Sequence, residues 1–262
     1  MNVQIETDGA VGVSIPSAWE MDWIALDTAR DGNVPGPVWK PLRHDTSTGA
    51  LTFMMHLPPN WHDEVLDWHP TTEEAYKLAG CTVLGDNVLD KGCYLYRPPG
   101  ILHGPVSSPV DEGATILQRM NGEIRILRYE GDEFPHEHLQ PITDQYKDWP
   151  VEWNEKLDTK ELPWEPVESG GWAGCAVKWV HRNRVTGGGA VLLQVPAGWS
   201  GEGSAARGPV EEFVVEGAIV AGGEEYRKWG YAYRPAGSPA GEYSCADGAV
   251  LFCWWDEATE LA

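Results

Sequence analysis

Residues 92–103 read GCYLYRPPGILH, and part of that phrase returns later in the chain. Tyr-Leu-Tyr-Arg-Pro-Pro-Gly at 94–100 is echoed by YAYRPAG at 231–237. Working outward, MMHLPPNW ending at Trp61 is matched by LLQVPAGW ending at Trp199. EEAYKLAG ending at Gly80 is matched by VEEFVVEG ending at Gly217, and Thr48-Gly49 by Thr186-Gly187. These anchors are colinear, and a single deletion after Trp199 brings them into one register. The period far exceeds that of a solenoid, so the chain reads as a duplicated domain. The boundaries read as a first copy over 1–138, a polar, proline-punctuated connector over 139–161 and a second copy over 162–262.

Within each copy the units are short. LTFMMHL and AVLLQV are rich in strand-favouring apolar residues, and CYLYR and YAYR alternate as half-buried strands do. Gly85-Asp86-Asn87 and Gly222-Gly223 read as hairpin turns. The 30 glycines and 20 prolines favour many turns over long helices. The fold class that follows is all-β, with two tandem jelly-roll barrels. At 262 residues each copy is long enough to bury its own core.

The formal charge of −21 repels phosphates and anionic headgroups, which sets aside nucleic acid and membrane surfaces as partners. The N-terminus lacks a signal-peptide pattern and no apolar run is long enough to span a bilayer. Cys81, Cys93, Cys175, Cys245 and Cys253 are odd in number and lack metal-type spacing. They read as reduced thiols, and the expected compartment is the cytoplasm.

The motifs resemble the cupin superfamily. Gly92, Pro98, Gly100 and His103 fit every position of its second motif, glycine, five residues, Pro-x-Gly, two residues, histidine. Asp67-Trp68-His69, Glu73 and Gly80 fit its first motif, except that Asp67 stands where a histidine is usual. The PPNW and PAGW phrases are similar to the entry of that motif in ChrR-like and small dioxygenase cupins. The resemblance implies a metal held by His69, Glu73 and His103, with either Asp67 or His62 as the remaining ligand. Imidazoles and carboxylates suit Fe(II) first, and Mn, Ni or Zn as alternatives. His62, Asp63, Glu64, Asp67, His69, Glu73 and Glu74 crowd one segment, with His56 on the preceding strand, so one ion or two remains open. A ligand-rich first motif is also a trait of the rare diiron cupin monooxygenases.

The second copy acts as a comparison inside the chain. Asp67, His69, Glu73 and His103 align with Ala205, Arg207, Val210 and Ala240, while His62 and His56 align with Ser200 and Gln194. The scaffold residues persist and the candidate ligands vanish together, as expected of a set that works as a unit. Arg97 and Arg234 occur in both copies and read as structural. Glu211 and Glu212 read as surface residues.

The expected function is a metal-dependent oxygenase acting on a small organic or natural-product substrate with dioxygen, by hydroxylation or carbon–carbon cleavage. Met54, Met55, Trp61 and Trp68 are candidate pocket walls. A non-oxidative metal cupin (isomerase or lyase) and a ligand-binding sensor are the alternatives. Residues 1–43 contain neither His nor Cys, which argues against an anti-sigma role. The assembly is left between monomer and homodimer.

Overall fold

A computed structural model describes residues 6–7, 11–26, 36–129, 154–183, 186–205 and 207–257. Among the described residues there is no α-helix, and the regular structure is antiparallel strand with short 3₁₀ turns. The chain divides into two compact units. The first is Asp22–Lys160, and the second is Met1–Met21 together with Glu161–Ala262.

Both units are β-sandwiches with the same strand order. In the first unit the main sheet runs Val38–Asp45, Leu51–Leu57, Ala114–Met120, Glu73–Leu84, Cys93–Arg97, Asn154–Asp158. In the second it runs Ala176–Arg182, Gly187–Val195, Ala249–Glu257, Val210–Ala221, Tyr231–Arg234, Val13–Ile15. The sixth place shows what chain order alone does not. Asn154–Asp158, which the sequence assigns to the connector, pairs with Cys93–Arg97. Val13–Ile15, which the sequence assigns to the first copy, pairs with Tyr231–Arg234 of the second. Residues 139–153 of the connector, with His136 and His138, lie outside the described residues.

The corner of each sandwich is made by a 12-residue strand. The first part of Glu73–Leu84 pairs with Cys93–Arg97 and Ala114–Met120, whereas its end pairs with Asn87–Asp90 and Val106–Ser107. The strand changes sheet at Gly80, whose φ is 70°. A Cβ there would stand 1.8 Å from the carbonyl oxygen of Gly113. Gly217 repeats this at the second corner, with φ 76° and 2.1 Å to the Gly248 oxygen. Both conditions demand glycine. The turn expectations hold too: Leu84 pairs with Asn87 across Gly85-Asp86, and Ala221 with Glu224 across Gly222-Gly223.

The interiors differ in kind. In the second unit Val191, Leu193, Val195, Val210, Val214, Leu251, Cys253 and Trp255 belong to one continuous apolar cluster. In the first, Leu57, Ala75, Cys93, Leu95, Ala114 and Ile116 form a smaller cluster, with Met55 and Trp61 against it. Met54 is fully buried and alternates with Met55, so it lies on the opposite strand face and is removed from the candidate pocket wall. Glu211 and Glu212 are buried, which corrects their surface assignment. Glu211 accepts from the Tyr231 hydroxyl at 2.7 Å, and Glu212 from Tyr243 and Arg234. Tyr94 and Glu74 repeat the first of these pairs in the first unit, at 2.6 Å. All five cysteines are free and buried, as the sequence suggests.

Gly80→Ala and Gly217→Ala should each destabilise by roughly 3 kcal/mol or more, because a backbone clash adds to the left-handed cost. Gly237→Ala is the control: φ is 80°, but no atom lies within 4 Å of its Cβ position. It should cost about 1–2 kcal/mol. Equilibrium denaturation of the three variants checks the contrast.

Candidate metal centre

The site is assembled by backbone before side chains meet. Glu73 opens the long strand and stands opposite Arg97 at the end of Cys93–Arg97. Pro98 and Pro99 end that strand, and Gly100, at φ 86°, donates its N–H to the His69 carbonyl at 2.8 Å. Asp67 and His103 then exchange both backbone hydrogen bonds, each 2.9 Å. This short ladder fastens the first motif to the second. Asp67–Trp68 is held on its other side by Leu127–Arg128.

The side chains converge from these anchors. His69 Nδ1 lies 3.0 Å from the Arg125 carbonyl oxygen, and His103 Nδ1 lies 3.0 Å from that of Ile101. A carbonyl only accepts, so each neutral ring carries its proton on Nδ1 and turns an Nε2 lone pair inward. His103 Nε2 is 3.0 Å from Asp67 Oδ1. Glu73 Oε2 is 3.7 Å from His103 Nε2 and 3.9 Å from His69 Nε2. Asp67, His69 and His103 each offer a ligand atom within 4.8 Å of the others. Donors about 2.1 Å from a common ion stand roughly 3–4 Å apart, so the set suits one divalent cation.

Glu73 is oriented by two further side chains. Arg97 Nη1 donates to Oε2 at 2.7 Å, and Gln118 Nε2 to Oε1 at 2.9 Å. Arg97 also faces Glu155, with Nε 3.2 Å from Oε1. Burial pushes the Glu73 carboxyl up, but the Arg97 charge, joined by His103 and His69 when protonated, more than reverses this. The carboxyl is held well below the usual carboxylate range. The carboxylates of Asp67, Glu73 and Glu155 against one guanidinium leave two formal negative charges, which a divalent ion would neutralise.

Of the residues singled out by sequence, Asp67, His69 and His103 meet, and Glu73 stands beside them. His62 does not join them. It is exposed, on a two-residue strand paired with Val106–Ser107. Asp63 is turned to its own loop, where it accepts the Val65 N–H at 3.1 Å. His56 bonds Thr115 Oγ1 through Nδ1 at 3.1 Å. Two interior residues were missed by motif reading. Gln118 touches Glu73, and Lys77, four residues after Glu73 on the same strand face, is 4% exposed. Burial pulls its ammonium down to about 7, Arg97 acts in the same direction, and Glu73 partly opposes both. A signal for Lys77 was available: its counterpart Val214 is apolar. A cleft of about 570 Å³ in the second unit, lined by Gln194, Glu216 and Gly248 among others, contains none of these side chains.

Comparison with known proteins concerns the domain and the fold. Residues 18–121 match the ChrR cupin-like domain, so the chain carries a cupin-like domain that includes Asp67, His69, Glu73 and His103. A candidate dioxygenase from Nostoc punctiforme is similar in structure over 96% of this chain and 82% of its own. Its TM-score is 0.73 at 21% identity. Oxalate decarboxylase from Bacillus subtilis, studied for its Mn(II) centres, is similar over 85% of this chain and 73% of its own. Its TM-score is 0.55 at 14% identity. A deletion mutant of the same enzyme gives 0.56 at 15% identity, over 90% of this chain and 77% of its own. No curated protein matches the chain in sequence. No helix among the described residues is long and apolar enough to cross a membrane.

The geometry brings Asp67, and not His62, to His69 and His103. His69→Ala, His103→Ala and Asp67→Ala should each weaken Mn(II) or Fe(II) binding by more than the roughly 10–100-fold typical of losing a supporting residue. His62→Ala should leave affinity unchanged. Equilibrium dialysis with elemental analysis measures all four.

Proposed function

We propose that the chain is a mononuclear, metal-dependent cupin enzyme of the oxygenase type, acting on a small organic substrate from its first unit. The observation that carries this reading is the convergence of two imidazole Nε2 atoms with the Asp67 carboxylate. Two histidines and one carboxylate, with coordination positions left open, are the donor set of non-haem Fe(II) oxygenases. Bound Fe(II) would supply the redox chemistry that dioxygen requires. The chain's own residues have separate tasks. The carbonyls of Arg125 and Ile101 fix both histidine tautomers, and Arg97 with Gln118 holds Glu73 in place. Met55 and Trp61, packed against the interior cluster, offer an apolar wall to the carbon skeleton. The structural likeness to a candidate dioxygenase supports the same reading.

A second reading keeps the ion and drops the oxygen. Asp67 in place of a histidine makes the donor set richer in oxygen, which favours Mn(II) over softer ions. The likeness to a manganese decarboxylase supports that version.

Oxygen uptake separates the two. Protein loaded anaerobically with Fe(II) should take up dioxygen at a rate that rises with a substrate identified by screening. His103→Ala should abolish that rise. A dioxygenase places both oxygen atoms in product without an external reductant, whereas a monooxygenase releases one as water and consumes two electrons. Substrate turnover without dioxygen uptake would replace the oxygenase reading with the non-oxidative one.

A further inference from the structure

Lys77 is a charged side chain inside a barrel, and among the described residues only the longer-range charge of Glu73 answers it. It stands opposite Ile116 in the sheet, on the face shared with Glu73 and Ala75. Ala75 and Ile116 both belong to the interior cluster, so the Lys77 side chain enters the same space. It makes no hydrogen bond or ion pair among the described residues. One strand over, Gln118 spends its amide N–H on Glu73, while its buried Oε1 has no hydrogen-bond partner among the described residues. A lysine drawn inside a barrel without an ion pair and a buried acceptor without a donor are each costly to a fold.

The cost is local to the unit with the ligand set. In the second unit the positions of Lys77 and Gln118 are held by Val214 and Cys253, both within its apolar core. The scaffold therefore folds without either polar group. Charge gives the sign of what is missing. With a divalent ion in place, Asp67, Glu73, Glu155 and Arg97 balance, and a protonated Lys77 is left with one positive charge unanswered.

We propose that Lys77 anchors an anionic group of the substrate, a carboxylate, beside the metal centre, with Gln118 Oε1 accepting a hydrogen bond from a neighbouring hydroxyl of the same molecule. The substrate class is then a small hydroxylated organic acid rather than a neutral compound. This rests on the reading that the first unit binds one divalent ion and an organic substrate. Lys77 is a binding residue in this account and contributes nothing to metal affinity.

The test uses the full chain loaded with Mn(II), and the probes are acetate, propionate and benzoate beside their amides. Calorimetry should show the wild type preferring each acid to its amide. Lys77→Met should weaken the acids by roughly 10- to 100-fold and leave the amides unchanged, as expected for one charge-assisted hydrogen bond. Metal content and melting temperature should match the wild type, and Lys77→Gln serves where the methionine variant does not fold. An acid preference retained in the variant, or absent from the wild type, would overturn the proposal. Should the wild type take up no metal, it is the metal reading that fails. The same titration on metal-free protein then judges Lys77 by itself.

Discussion

The ion pair between Arg97 and Glu73, 2.7 Å long and almost fully buried, is the interaction around which the first unit is arranged. It ties the opening of the long strand to the end of its neighbour at the point where both motifs begin their turns. Neither charge can be left alone at that depth: removing one partner of such a pair costs about 3–5 kcal/mol. The second unit keeps the arginine and moves the carboxylate. Arg234 pairs with Glu212 at 3.1 Å, two residues further along the strand, because Val210 stands where Glu73 would. The shift takes the carboxylate away from the strand opening, the position that in the first unit meets the histidines. One scaffold thus serves as a core in one unit and as the floor of a site in the other.

Support around the site is as deliberate as the ligands. The reciprocal hydrogen bonds of Asp67 and His103 bring residues 36 positions apart to one place, and the Arg125 and Ile101 carbonyls set the direction of both imidazoles. The glycine corners at Gly80 and Gly217 allow the long strands to pass between sheets, so each sandwich closes. Closure is what turns spacing in the sequence into convergence in space.

Much of this was legible in the sequence. The duplicated phrase gave two copies of one architecture, and motif spacing marked His69, Glu73 and His103. The aspartate in histidine's place could be seen but not resolved, because Asp67 and His62 differ only in whether the chain returns to the site. The ladder to His103 brings Asp67 to the two histidines, whereas His62 is exposed and apart from them. Strand exchange at Val13–Ile15 and Asn154–Asp158 was hidden because edge strands carry no mark of which sheet they join. Glu211 and Glu212 were misread because two adjacent acids look solvated until Tyr231, Tyr243 and Arg234 are seen around them. Lys77 was overlooked for a related reason: a lysine in a strand normally faces water, and only its contrast with Val214 hints otherwise.

Anomalous diffraction from crystals soaked in Mn(II) and recorded at the manganese edge tests the central claim most directly. We expect one strong peak per chain, enclosed by Asp67, His69 and His103 with Glu73 alongside, and none in the second unit. A pair of peaks involving His62, a peak in the second unit, or no peak at these residues would contradict the account.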